Sequence, residues 1–138
     1  SGTIQQIADG CTKGLTGALD KAKAIHEWLR VNVRYKTYEC SHYSTPEACL
    51  QHKTALNCAD TSRLTCALMR AAGLNAYVVH ADYHFYTVIE INGGKYISDQ
   101  TGSGSAWNTY WTRCCGRKTN SDLKGGNYYA VNGNEPSC

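Results

Sequence analysis

The chain has 138 residues, of which 42% are apolar and 18% charged, and it carries a net charge of +3. That length holds one domain with a real core, and that balance excludes intrinsic disorder. No run reaches the roughly 18 consecutive apolar residues of a membrane span, no signal-peptide core is visible, and a mild charge not gathered into a stripe argues against a nucleic-acid partner.

Residues 1–14 are polar and broken by Gly10 and Gly14, with a short helical candidate around residues 4–8. The stretch TGALDKAKAIHEWLRVNV, residues 16–33, sets Leu19, Ala22, Ile25, Trp28 and Leu29 on one face at helical spacing. A helix is predicted there with Thr16 as its cap; His26 and Glu27 fall off the stripe and are expected in solvent. RYKTYECSHYS reads as loop. Ser44 or Thr45 ahead of Pro46 and Glu47 gives a cap, a first-turn proline and an acidic first turn, hence a short helix over 46–52. From Cys58 to Ala72 runs a second main helix, with Leu64, Ala67, Leu68 and Ala71 as its stripe and Gly73 as its terminator. Thr61, Cys66 and Met69 lie on its other faces, so it is apolar nearly all round, the mark of a buried central helix. NAYVVHAD, HFYTVIEI and KYISD are strand-like, and NGG at 92–94 is a hairpin signal, so an antiparallel meander follows. Beyond Thr101 the composition turns to Gly, Asn and aromatics, which predicts loops with one strand over residues 127–131 and no separate core. The fold class is α+β: a single domain, 1–138, with a helical half packed on a small antiparallel sheet (core 16–101) and a loop-rich tail (102–138).

Cysteines stand at 11, 40, 49, 58, 66, 114, 115 and 138, a number that points outside a reducing cytosol or to metal. Cys58 is the distinctive one. At the first turn of a helix a thiol faces the positive end of the dipole, which favours thiolate. A nucleophile also needs a base, and the base an orienting acceptor. His84 opens the second strand of the meander and Asp99 closes the third, so the turn at 92–94 brings them side by side, and an Asp there fixes the imidazole's tautomer. Position alone leaves Cys58 open to a second reading, a structural thiol or half of a disulfide; His84 and Asp99 in register favour the nucleophile. The oxyanion would rest on the Cys58 N–H plus one further donor, for which Asn57 and Tyr38 are candidates.

The other titratable residues read more plainly. Cys66 is expected in the core as the odd free thiol. Cys40 with Cys49, and Cys138 with Cys114 or Cys115, are candidate disulfides, although connectivity is not fixed by sequence. His80 and His84 would chelate zinc only on a helix, and Cys114–Cys115 is a poor chelating spacing, so no metal site is assigned. His26, His42 and His52 are read as surface residues and Asp60 as a partner of the helix dipole. Ten Tyr and three Trp against one Phe suit a wet groove. Tyr83, Tyr86, Trp107 and Trp111 are candidate substrate-binding residues. The alternative for the cluster Trp107, Tyr110, Trp111, Arg113, Arg117 and Lys118 is a loop folded over the sheet.

The stretch HKTALNCADTSRLTCALMRAAGLNAYVVHADYHFYTVIEINGGKYISDQTG resembles the core of the transglutaminase-like superfamily of cysteine enzymes. The likeness lies in a Cys at a helix start, RAAG leading to NAYVV, a His opening the next strand and an Asp after the following turn. It covers roughly residues 21–101. Asn57 stands where the superfamily commonly has Gly, and Phe85–Tyr86 where many members have a small residue and Trp. The resemblance implies a papain-like core and a triad of Cys58, His84 and Asp99. Within the superfamily the chain is most similar to the pseudomurein endoisopeptidases of methanogen viruses and proviruses. That similarity implies cleavage of an Ala–ε-Lys isopeptide bond in a cell-wall peptide by a monomeric catalytic domain, part of a longer endolysin with wall-binding repeats. Such an enzyme reaches the wall after lysis release or secretion, and a chain beginning at Ser1 without Met fits a piece of it. The chemistry would need no cofactor, though the similarity also implies help from a divalent cation such as calcium, for which no ligands can be assigned. Transglutaminase-type acyl transfer to an amine and a non-catalytic, cysteine-stapled wall-binding module are the alternatives.

Overall fold

The computed structural model describes residues 2–36, 43, 45–81, 84–101, 104–107, 109–112, 116–119 and 129–131. Among these residues four helices precede seven strands. Helix α1, Gly2–Thr12, is longer than the sequence suggests. Ile4, Ile7, Ala8 and Cys11 recur at helical spacing and pack into the core, and that burial outweighs the cost of Gly10 within the helix, about 1 kcal/mol relative to Ala. Helix α2, Ala18–Asn32, buries Ala22, Ile25 and Leu29 as the stripe predicts. Its N-cap is Gly17, with no side-chain cap bond, so Thr16 does not cap it. His26 is buried as well, against expectation: the α2 surface turned toward the sheet is wider than its apolar stripe.

Helix α3, Pro46–Gln51, is capped by Thr45, whose Oγ1 accepts the Ala48 N–H at 3.1 Å. Helix α4, Cys58–Ala71, is the centre of the molecule. Ala59 to Cys66, Leu68 and Met69 are all buried, and α1, α2 and α3 pack around it while its remaining side lies on the sheet. Polar residues inside it are bonded back to the helix: Ser62 Oγ donates to the Cys58 carbonyl at 2.7 Å and Thr65 Oγ1 to the Thr61 carbonyl at 2.8 Å. Gly73, at φ +83°, turns the chain out of the helix.

Strands β1 (Asn75–Ala81), β2 (His84–Ile91) and β3 (Gly94–Thr101) form the meander, antiparallel throughout. Asn92 and Gly93 take φ of 51° and 79°, the two positive values that a tight two-residue hairpin demands. After Thr101 the strand expected over 127–131 is present as Tyr129–Val131, but three further strands stand where only loops were expected. Strand β4 (Gly104–Trp107) pairs with β3, and β7 (Tyr129–Val131) pairs with β1, giving a sheet of order β4-β3-β2-β1-β7. A separate ribbon pairs β5 (Thr109–Thr112) with β6 (Gly116–Thr119). All four are only three or four residues long, and for β4 and β7 the partners on the open edges of the meander, more than their own composition, make them strands.

The sheet has two apolar faces. Ala76, Val78, Phe85 and Ile89 join the helices in the main core, and Thr87 Oγ1 on the same face donates to the Ser62 carbonyl of α4 at 3.0 Å. Val79, Tyr86, Val88 and Ile97 form a second cluster with Tyr77.

Candidate functional site

Helix α4 begins where the chain leaves an extended Asn57 (φ −85°, ψ −177°), whose Oδ1 accepts the Asp60 N–H at 2.9 Å. Asn57, weighed as an oxyanion donor, therefore uses its side-chain oxygen as the helix cap. The first hydrogen bond within the helix runs from the Thr61 N–H to the Asn57 carbonyl, so the Cys58 N–H precedes the ladder, among the donors a helix start leaves outward. Cys58 itself is half-buried against the core.

The hairpin brings His84 and Asp99 together. His84 Nε2 donates to Asp99 Oδ2 at 2.8 Å, with the two residues 9% and 1% exposed. Cys58 lies near enough to His84 to help raise it; since Nε2 faces Asp99, Nδ1 is the ring nitrogen left for the thiol. Burial pushes the imidazole down, but hydrogen bonds to Asp99 and Cys58, and their charges, outweigh it and hold His84 up at about 9. At neutral pH the ring is an imidazolium between a carboxylate and a sulfur.

The remaining described thiols are held in the protonated form. Burial, reinforced by the charge of Asp60, pushes Cys49 up to about 12; burial pushes Cys66 up to about 11 and raises Cys11. Cys49 is a free thiol with Sγ 3.6 Å from Asp60 Oδ1, and Cys40, its expected disulfide partner, lies outside the described residues. Cys66 is free and buried, as expected. Asp60 is more than a partner of the helix dipole. Wholly buried, its Oδ1 also accepts from the Tyr43 N–H at 3.1 Å and from Arg63 Nη1 at 3.0 Å, which ties the chain before α3 to the first turn of α4.

Among the proposed substrate residues, Tyr86 is corrected. It is 0% exposed within the second apolar cluster, with its ring centroid 6.2 Å from that of His84, so it packs behind the imidazole and cannot line an open slot. Strand alternation from His84 puts it on the inward face. Trp107 is half-buried, edge-on to His26 (5.2 Å between centroids) and stacked with Tyr96 (6.1 Å). The backbone of Trp111 lies in β5, while its side chain, like those of Tyr110, Arg117 and Lys118, is outside the described residues, as are Tyr38, Tyr83, Cys40, His42, Arg113, Cys114, Cys115, Cys138 and the His80 side chain. His52 is exposed, as expected, and stacks on Tyr43 at 4.2 Å.

His26, read from sequence as a surface residue, lies next to the site. Its Nδ1 is 2.7 Å from Ser98 Oγ and 2.9 Å from Gln100 Nε2, the residues on either side of Asp99. A polar-acid-polar run at a strand end was the available signal, but it needs the helix partner before it means anything. Among the described residues no three His, Cys, Asp or Glu side chains converge as metal ligands. Among them, too, no helix is long and apolar enough to cross a membrane.

A half-buried thiol at the start of a buried helix, beside an imidazole that a buried carboxylate orients, can attack an acyl carbon while the ring protonates the leaving group. The fold of the chain is similar to that of a candidate cysteine protease from Cytophaga hutchinsonii (TM-score 0.62, 20% identity, covering 95% of this chain and 48% of that one). It is also similar to a candidate protease from Parabacteroides distasonis (TM-score 0.53, 11% identity, 67% and 22% covered) and to a TGase (TM-score 0.50, 17% identity, 71% and 29% covered). The chain thus spans about half the length of the first of these and less of the others. No curated protein is similar enough to count as a relative. The profile of the Transglutaminase-like superfamily matches residues 5–132, nearly the whole chain, and the chain belongs to that superfamily.

Proposed function

We propose that the protein is a cysteine isopeptidase that hydrolyses an amide made by a lysine ε-amine in a cell-wall peptide, of the Ala–ε-Lys type found in pseudomurein. The observation that carries the chemistry is the 2.8 Å bond from His84 Nε2 to Asp99 Oδ2 beside the Cys58 thiol. The substrate class rests on the similarity of the chain's overall character to the pseudomurein endoisopeptidases.

In this reading Cys58 Sγ, as thiolate, attacks the carbonyl carbon. The developing oxyanion is met by the Cys58 N–H at the start of α4. The C–N bond breaks as the imidazolium of His84 gives its Nδ1 proton to the leaving amine, leaving a thioester on Cys58. Water then attacks the thioester, His84 takes its proton, the C–S bond breaks, and the acid departs with Cys58 and His84 restored. Asp99 keeps the ring oriented and its charged form stable throughout.

The test is a pair of matched peptides, one with an Ala–ε-Lys bond and one with the same residues joined through the α-amine. Cleavage of the first, lost in Cys58→Ala, is expected. Equal kcat/KM on both peptides would remove the isopeptidase reading, and an added amine appearing in the product would turn hydrolysis into acyl transfer. Wall binding that persists without any cleavage by the wild type would leave a binding module.

A further inference from the structure

Ser98 and Gln100 flank Asp99 on β3 and point to the opposite face of the strand. There both meet the ring of His26 from α2. Ser98 Oγ–H donates to His26 Nδ1 at 2.7 Å, and Gln100 Nε2 donates to the same nitrogen at 2.9 Å and to the His26 carbonyl at 3.0 Å. A nitrogen that accepts from a side-chain amide carries no proton, so the His26 ring is neutral with its hydrogen on Nε2. Burial lowers His26 to about 4, although the charges of Glu27 on α2 and Asp99 on β3 pull it upward; Arg30 on α2 pushes it down, and Trp107 on β4 contributes only its ring edge. Between about pH 4 and about pH 9, then, the His26 ring is neutral while His84 is an imidazolium.

The backbone gives this contact its importance. Pairing of β3 with β2 runs from Ile91–Gly94 to Thr87–Ser98 among the described residues, so Asp99 and Gln100 lie beyond it. On the other side β4 pairs Asp99 with Ala106 and Gln100 with Ser105. The segment carrying the carboxylate is thus held by β4 along one edge and by a helix side chain that grips both of its neighbours.

We infer that His26 is a positioning residue: through Ser98 and Gln100 it fixes the place of the Asp99 carboxylate, and with it the hydrogen bond to His84. The inference rests on the reading of Cys58, His84 and Asp99 proposed above. A histidine that only fills space would be replaceable at a cost in stability alone, with His84 unaffected.

The experiment follows the His84 ring by NMR titration in the full chain and measures kcat and KM on the Ala–ε-Lys peptide, for the wild type, His26→Leu, His26→Asn and Ser98→Ala. In His26→Leu the His84 titration should fall from about 9 by about one pH unit. Its kcat should drop about 10- to 100-fold with KM nearly unchanged, as for a small displacement of an orienting group. His26→Asn, which keeps an acceptor near the place of Nδ1, should recover most of both, and Ser98→Ala should shift His84 in the same direction by less. An unmoved His84 in both His26→Leu and Ser98→Ala overturns the inference. Should His26→Leu not fold, an unmoved titration in Ser98→Ala is enough to do so. The NMR readout needs no substrate, so it is separable from the function itself: full activity in Cys58→Ala sinks the proposed chemistry whatever His84 does.

Discussion

Replacing Asp99 by Asn should move the alkaline limb of the kcat/KM profile downward. In the wild type His84 is held at about 9 against an ordinary 6.5, which corresponds to about 3 kcal/mol in favour of the protonated ring. Burial works the other way, so the hydrogen bonds and charges of Asp99 and Cys58 together contribute more than that. Asp99 supplies the strongest of these hydrogen bonds and the larger of the two charge effects. If it accounts for about half, the limb falls from about 9 to about 8 or below, since each pH unit is about 1.4 kcal/mol. The amide oxygen of Asn still accepts from Nε2, so Asp99→Asn should retain more activity than Asp99→Ala. Initial rates on the Ala–ε-Lys peptide between pH 6 and 10 give the profile for all three proteins. A limb that stays near 9 in Asp99→Asn would refute the assignment of Asp99 as the partner that keeps His84 charged. Equal loss in the Asn and Ala variants would show that charge matters and orientation does not.

Three further outcomes are expected. Iodoacetamide near neutral pH should label Cys58 first, because burial holds Cys49 and Cys66 as thiols up to about 12 and about 11; peptide mapping that finds either of these labelled ahead of Cys58 contradicts the site. Thermal stability should peak near neutrality. His84, raised when folded, contributes stability that is full below 6.5 and lost as pH rises through about 9, while His26, lowered when folded, leaves the unfolded chain to bind a proton alone as pH falls from 6.5 toward about 4. A Tm that does not drop on the acid side, or an acid-side drop that persists in His26→Asn, would count against the buried neutral ring. Asp60→Ala leaves Arg63 charged and buried without its counter-ion, at a cost of about 3–5 kcal/mol in denaturant unfolding; a loss under 1 kcal/mol would mean the pair is solvated.

The elements that build the site were legible because their signals are local. A helix apolar on every face, ending at Gly73, has one place to go, and two strands joined by Asn92–Gly93 have one register, which brings His84 to Asp99. The departures are long-range. Nothing within α2 says that His26 lies inward, because its partners are seventy-two and seventy-four residues away. Asp60 in a first turn looks like an ordinary dipole partner until α3 brings Cys49, and the chain before it Tyr43, against its carboxylate. Tyr86 resembles a groove aromatic by type, yet the sheet carries a second apolar cluster that claims it. Strand β4 is too short to announce itself and is set by the edge of β3 that it joins.

The free thiols have a practical corollary. Cys11, Cys49 and Cys66 sit in or against the core without cross-links, so the packing around α4 owes nothing to oxidation at these positions. A reductant strong enough to keep the Cys58 sulfur nucleophilic leaves that packing intact. Peroxide acts in the opposite sense: conversion of Cys58 to a sulfenic acid silences the nucleophile in a molecule that is still folded, and the shielded neighbours react later. Oxidative inactivation should therefore precede unfolding and reverse with added thiol as long as the sulfur has gone no further than that first step.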